Sequence, residues 1–274
     1  MTQRVLLLFL LLPLFFGCGE EPDPYAAVTL SRGDLELTVD PVVGGRLASL
    51  KFRGQELLQT TRDSANLHWG SVAWTSPQAD WGWPPPPAFD SAPFLVTDTK
   101  ENRIILEGPL DSASMLRMRK RYVLTANNEV GLTYWVTNES AEPRTVALWE
   151  NTRLPYAGRI EFAVADSLGY WRSELALSEQ DSVYTLHLDD RHAADGKIFT
   201  SLDSGYVDYL VNGIRLRKES VVTDWYRVAP GQAPLEIYAD PAGGFTELEL
   251  QGDLRTLQYG ESNNLRVRWT VGVE

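Results

Sequence analysis

Apolar and polar residues alternate with a period of two along most of this chain, as expected of strands with one face buried and one face wet. In Leu35-Glu-Leu-Thr-Val39 the residues Leu35, Leu37 and Val39 share a face, and in the run Val130–Val136 so do Leu132, Tyr134 and Val136. Similar runs begin at Arg46, Arg103, Met115, Thr145, Ser182, Val221, Leu235, Phe245 and Leu265. They are separated by Gly, Pro, Asn and Asp corners such as Gly44-Gly45, Arg53-Gly54 and Asn127-Asn128. No stretch carries four turns of apolar residues at helical spacing. About a dozen short strands split by turn residues predict an all-β antiparallel sandwich or barrel, and residues 29–274 read as a single domain.

The N-terminus breaks the pattern. Arg4 precedes an unbroken apolar run, Val5–Phe16, followed by Gly17 and Cys18. That run is shorter than the ~20 residues a membrane-spanning helix needs but suits a secretory leader. It resembles a bacterial lipoprotein signal (residues 1–17), with Phe15 where leucine is usual and Cys18 as the lipidated first residue. A plain cleaved signal with an incidental cysteine is the alternative. Residues 18–28 then read as an acidic tether, and the expected location is the bacterial envelope, lipid-anchored, on a periplasmic or surface face. Cys18 is the chain's only cysteine, which excludes an internal disulfide and a cysteine-based zinc site.

Charge narrows the partners. The formal net charge is −12, which argues against nucleic acid and against electrostatic adhesion to anionic lipid. There is no glycine-rich phosphate loop and no G-x-S-x-G elbow, so nucleotide chemistry and serine hydrolysis lack a motif. His187 to His192 offers imidazole and carboxylate ligands, but its spacing fits no calcium loop or zinc motif. It reads as a solvated hairpin tip. No metal or other cofactor is expected.

Four of the nine tryptophans, Trp69, Trp74, Trp81 and Trp83, fall within one short segment that closes on four consecutive prolines. Proline is excluded from helix interiors and confined to sheet edges, so the segment reads as a rigid, extended surface loop. Its indoles are interleaved with Gln78 and Asp80. Aromatic faces beside a few fixed donors and acceptors suit a sugar, whose C–H face stacks while its hydroxyls hydrogen-bond. The competing reading is that the indoles plug the end of the sandwich core.

The motif Val43-Gly-Gly-Arg-Leu-Ala-Ser-Leu50 followed by Gln55-Glu-Leu-Leu58, the late Leu248-Glu-Leu-Gln-Gly252, and Leu257-Gln-Tyr-Gly-Glu-Ser262 before a final strand ending Arg268-Trp-Thr270 resemble, in order and spacing, the galactose mutarotase-like superfamily of aldose 1-epimerases. The resemblance spans roughly residues 30–272 and implies a large two-sheet sandwich. It also implies a site. Glu249 falls where the family carries its catalytic base, which takes the anomeric hydroxyl proton. The segment Val146–Thr152 occupies the place of the histidine that protonates the ring oxygen, yet it holds Glu150 and Asn151 and no histidine. Glu150 and His68 are the substitute acid candidates, and Asn151 and Arg153 join the carbohydrate-contact set with the tryptophans.

Glu249 has a structural alternative. Glu247, Glu249 and Gln251 share one strand face, as do Arg266 and Arg268, and pairing of the two strands would make an ordinary ion-pair ladder. The row Arg117, Arg119, Arg121 reads as a solvated or paired sheet face. Two function classes follow: a membrane-anchored carbohydrate-binding protein without turnover, favoured by the missing histidine, and a sugar-processing enzyme using Glu249. In a third reading, a structural envelope lipoprotein, the tryptophan segment would contact protein.

Overall fold

A computed structural model describes residues 23–62, 68–164, 175, 177–189, 193–221 and 224–274. The leader, Cys18, the first part of the tether and residues 190–192 of the His187–His192 constellation lie outside these.

The described strands form two ten-stranded sheets, paired antiparallel throughout. The first holds β1 (Val28–Arg32), β2 (Leu35–Asp40), β3 (Arg46–Phe52), β4 (Gln55–Glu56), β5 (Ser71–Ser76), β10 (Arg144–Pro155), β14 (Gly196–Thr200), β17 (Leu235–Asp240), β18 (Phe245–Gln251) and β19 (Arg255–Leu257). Its order is β1-β2-β3-β5-β10-β18-β17-β14, with β4 on β3 and β19 on β10. The second holds β6 (Leu95–Lys100), β7 (Arg103–Asp111), β8 (Leu116–Leu124), β9 (Glu129–Asn138), β11 (Gly158–Ala163), β12 (Leu177–Gln180), β13 (Val183–Leu188), β15 (Tyr206–Val211), β16 (Ile214–Ser220) and β20 (Ser262–Val273). Its order is β12-β13-β11-β15-β16-β20-β9-β8-β7-β6.

The two sheets pack through their inner faces. Leu37, Leu50, Leu148, Leu248 and Leu250 from the first meet Leu132, Tyr134, Leu216, Val267 and Trp269 of the second in one apolar core. The alternation that predicts Leu35, Leu37 and Val39 on a buried face holds, and so does that of Leu132, Tyr134 and Val136. In the second sheet the opposite face is wet: β20 alternates exposed and buried residues along most of its length. The Arg117 row lies on that face, with Arg117 bonded to Glu139 and the guanidinium groups of Arg119 and Arg121 over the Trp135 ring.

The first sheet is different at its centre. Strands β5 and β18 are buried at every residue, and β10 at all but its ends. Their outward face is therefore covered rather than wet, although it carries polar and charged side chains.

Two expected elements change. The tryptophan segment is not a surface loop throughout: Ser71–Ser76 is an interior strand between β3 and β10, and the chain stops pairing where Pro77 removes the next donor. Only Pro77 onward is loop, with a 3-10 turn at Gln78–Asp80 and a helical turn at Pro87–Asp90. In the segment where a strand is expected from Val221, residues 222 and 223 lie outside the described set and Trp225–Arg227 forms a 3-10 turn, capped by the Asp224 carboxylate, which accepts from the Tyr226 amide.

The Gly44-Gly45 corner locks the first sheet to its surroundings. A Cβ on Gly44 would lie 2.1 Å from the Asp90 carbonyl oxygen, so only glycine permits this approach. Next to it, the buried Arg46 guanidinium donates to the Trp69 carbonyl (2.8 Å) and to Asp90 Oδ1 (2.8 Å).

Candidate functional site

Strand register assembles the covered face. Trp149 lies opposite Trp74 on one side and Gln251 on the other; Asn151 lies opposite Val72 and Glu249; Arg153 lies opposite Glu247. Glu249 in turn faces Glu236 of β17, which faces Phe199 of β14. Residues directly opposite in an antiparallel pair project to the same side, so these side chains converge on one surface.

A lysine organises its centre. Lys197 Nζ reaches Glu236 Oε2 at 2.7 Å and Glu249 Oε2 at 2.9 Å, and lies 5.1 Å from the centre of the Trp149 ring. Gln251 Nε2 donates to Gln232 Oε1 (2.8 Å) and Glu236 Oε1 (3.2 Å). Beside them, Arg153 Nε donates to Glu247 Oε1 (2.7 Å) and Asn151 Nδ2 to Glu247 Oε2 (3.0 Å).

Two carboxylates share one ammonium here. Burial pushes the Glu249 carboxyl up; Lys197 opposes this, while Glu236 and Glu247 repel its charge, and the outcome is about 8. Burial works against the Lys197 charge as well, but Glu249 and Glu236 outweigh it and raise the ammonium above its usual range. For Glu247, burial is overcome by Arg153 and Asn151, which hold the carboxyl below its usual value. Glu249 is thus poised to exchange a proton near neutral pH.

The aromatic wall stands over β5 and β10. Trp74 packs edge-on against Trp81, Trp83 and Trp149 with ring centres 6.2, 6.2 and 5.2 Å away, and Trp81 stacks on Trp149 at 6.2 Å. Asp90 Oδ1 holds the Trp74 indole N–H at 3.0 Å. Trp83 is 62% exposed. Beyond Gln232, which accepts from Gln251, opens a cavity of 440 Å³ lined by Phe199, Trp225, Ala229 and Gln232.

Five buried polar atoms on this surface have no hydrogen-bond partner among the described residues: Trp149 Nε1, Asn151 Oδ1, Arg153 Nη1, Glu249 Oε1 and Gln251 Oε1. Buried polar groups are almost always paired, so their gathering on one face marks a place where a polar ligand or water belongs. Among the described residues no cluster of three or more His, Cys, Asp or Glu is arranged to hold a metal.

Several of the residues expected at the site are brought together and others are not. Trp74, Trp81, Trp83, Asn151, Arg153 and Glu249 share the surface described. Glu150 does not: it is consecutive with Asn151 in a strand and projects to the inter-sheet core, where it binds Lys218, Ser71 and Thr152. It cannot serve as acid to a group on the outer face. Trp69 is packed, with the Arg46 and Arg62 guanidinium groups 4.8 and 4.1 Å from its ring centre. His68 stands at the Arg153 end of the face, its ring 4.9 Å from that of Phe245, and burial followed by Arg153 lowers its pKa. Gln78 and Asp80 sit on the 3-10 turn, with Asp80 exposed.

The expected ladder of Glu249 with Arg266 and Arg268 does not form, because β18 lies in the first sheet and β20 in the second. Arg268 binds Glu219 instead. The sequence reading passes over Lys197, Gln232, Glu236 and Phe199. Glu236 carried a signal, since it interrupts the apolar run Leu235–Ala239 as Glu249 interrupts Leu248–Leu250.

Solved structures share this architecture. A galactose mutarotase-like protein from Lactobacillus casei superposes with a TM-score of 0.63 over 90% of this chain and 100% of its own, at 12% identity. A galactose mutarotase-like protein from Clostridium acetobutylicum gives 0.60 over 90% and 95%, also at 12% identity. An aldose epimerase homologue from C. elegans gives 0.58 over 90% and 99%, at 11% identity. At such identities the likeness establishes the fold, a galactose mutarotase-like β-sandwich. No curated protein matches the chain. Residues 25–272 match the domain of unknown function DUF4380, nearly the whole described chain, and the protein belongs to that family.

Proposed function

We propose that this chain is a carbohydrate-binding protein of the bacterial cell envelope, tethered to a membrane by lipid on Cys18, that takes sugar on the outer face of the first sheet without turning it over. The five partnerless buried polar atoms beneath the tryptophan wall carry this reading. Donors at Trp149 and Arg153 and acceptors at Asn151, Glu249 and Gln251 match the mixed demands of a polyol, and the half-buried Trp81, backed by Trp149, offers the flat apolar surface its ring needs. The adjoining cavity is within the usual size range of small-molecule sites, about 300–1,000 Å³. The names of the structural neighbours point to the same ligand class.

A glycan-array screen of the full chain tests the site. Binding to no glycan would remove the reading. The anchor is tested separately by metabolic labelling with a tagged fatty acid, which should mark the wild type and not Cys18→Ser; equal labelling of both would remove the lipoprotein assignment.

One observation favours turnover as a second reading. The Glu249 carboxyl, with its pKa near neutrality and Oε1 unengaged, is what proton abstraction from an anomeric hydroxyl requires. Asn151, directly opposite, cannot protonate the ring oxygen, so His68 would have to, and it stands at the far end of the face. Polarimetry on freshly dissolved α-glucose or α-galactose decides between the two. Faster equilibration that is lost in Glu249→Gln, with binding kept, establishes turnover; an uncatalysed rate in the wild type leaves binding alone.

A further inference from the structure

A second cleft opens on the other side of Trp81. It measures 790 Å³ and lies at the end of the sandwich, between the proline segment, the β7–β8 turn and the start of β10. Trp81, Ser76, Asp80, Asp111, Ser114 and Arg144 are among its walls. Two observations show unmet hydrogen bonds there. Ser76 is 1% exposed, and among the described residues neither its Oγ nor the buried Nε of Arg144 has a partner. Ser76 lies opposite Ala147 in the β5–β10 register, two residues along from the Trp74–Trp149 pair. Its hydroxyl therefore projects from the same sheet face as the site already described, one step further along.

Trp81 joins the cleft to the aromatic wall of the first site. Its ring stacks on Trp149 on the site side, it lines the cleft on the other, and its N–H is fixed on the Thr75 carbonyl at 3.0 Å. A ring held by its own donor is a preorganised platform that loses little freedom when a ligand covers it. The charges around the cleft are mixed. Asp80 and Asp111 line it together with Arg144, and Asp111 Oδ2 is already taken by the Ser114 amide and hydroxyl. Mixed charge disfavours an anion or a cation and suits a neutral chain of hydroxyls, whose donors and acceptors alternate.

We infer that the cleft beyond Trp81 is a second sugar subsite, so that the ligand is a neutral oligosaccharide of at least two units crossing Trp81 rather than a monosaccharide. The inference rests on the proposed sugar site. It also makes an unusual demand on Ser76. Removing an unpaired buried hydroxyl relieves a desolvation cost, so Ser76→Ala should leave the ligand-free protein as stable as the wild type or more so, while weakening the oligosaccharide complex.

The test is calorimetric titration of the full chain with glucose and galactose and with their 1,4-linked di-, tri- and tetrasaccharides. The expected result is at least tenfold tighter binding of an oligomer than of its monomer. Ser76→Ala and Arg144→Ala should bring the oligomer back toward the monomer's affinity, with monomer binding unchanged and no fall in melting temperature. Monomer and oligomer binding equally would overturn the second subsite and leave the first standing. So would a tighter oligomer indifferent to both variants. Loss of monomer binding in either variant would show that the cleft residues belong to the first site. No binding of any of these sugars removes the inference together with the neutral-sugar site on which it rests.

Discussion

Two buried lysine–glutamate pairs lie back to back on opposite faces of the first sheet. Glu150, on β10, points into the inter-sheet core and meets Lys218 from β16 at 2.8 Å. Glu249, on the neighbouring β18, points outward and meets Lys197 from β14 at 2.9 Å. The first pair is closed. Lys218 gives its three protons to Glu150 Oε2, Thr152 Oγ1 and the Leu248 carbonyl, and Glu150 Oε1 accepts from Ser71 and Thr152. The second is open, since Lys197 serves two carboxylates and Glu249 Oε1 accepts nothing from the described residues. A buried ion pair needs every remaining valence met to be tolerated as structure. What separates a strut from a site here is the satisfaction of the surrounding atoms, since the residue types are the same and both carboxylates are fully buried.

The largest expected difference between the pairs is in their response to pH. In the unfolded chain Glu249 ionises near 4.5, and in the folded protein near 8. Between those values the folded state keeps a proton that the unfolded state has released, so rising pH disfavours folding. The Glu249 contribution is present at low pH and is lost as pH climbs from 4.5 through about 8, with a slope of up to about 1.4 kcal/mol per pH unit. Denaturant titrations of wild type and Glu249→Gln at several pH values should show the variant gaining on the wild type across that window. Lys120, fully buried and lowered to about 7 by burial and Arg46, works in the opposite direction from about 7 upward. It is common to both proteins and cancels in the difference. A constant gap between the curves would mean that Glu249 is an ordinary ionised carboxylate.

Next in size is removal of the closed pair's cation. Lys218→Met removes one partner of a buried pair and leaves Glu150 without its cation, a change that typically costs about 3–5 kcal/mol, and for a chain of this length the melting temperature should fall on the order of 10 °C. Lys197→Met should cost far less stability. Lys197 is 25% exposed, and the proton that Glu249 takes up readily relieves the repulsion with Glu236. Equal losses in the two variants would break the distinction between strut and site.

The sequence made the strands legible wherever one face meets water, because alternation is a statement about two different environments. It failed at β5 for the same reason. With both faces of Ser71–Ser76 buried, there is no alternation to see, and the tryptophans and prolines beyond it suggested loop. Glu249 was legible through its place in a motif. Its partners were not, because Lys197 and Glu236 come from strands joined only by the sheet order, and the guess of Arg266 or Arg268 placed β18 beside a strand of the other sheet. The misplacement of Glu150 was avoidable, since Glu150 and Asn151 are adjacent in a strand and cannot share a face.

The smallest expected effect divides the tryptophans themselves. Trp81 and Trp83 lie two residues apart, and both pack edge-on against Trp74 at 6.2 Å. Trp81 alone stacks on Trp149 and has its N–H anchored, whereas Trp83 is largely in solvent. If the site reading is right, Trp81→Ala removes a fixed platform and should weaken sugar binding at least tenfold, about 1.4 kcal/mol. Trp83→Ala removes a ring that must still be ordered when ligand arrives, and it should cost no more than a few-fold. Quenching of tryptophan fluorescence by bound sugar should fall in the same order. If instead Trp81→Ala melts well below the wild type and binds normally once folded, the indole belongs to the core, and the covered face of the first sheet is packing rather than a site.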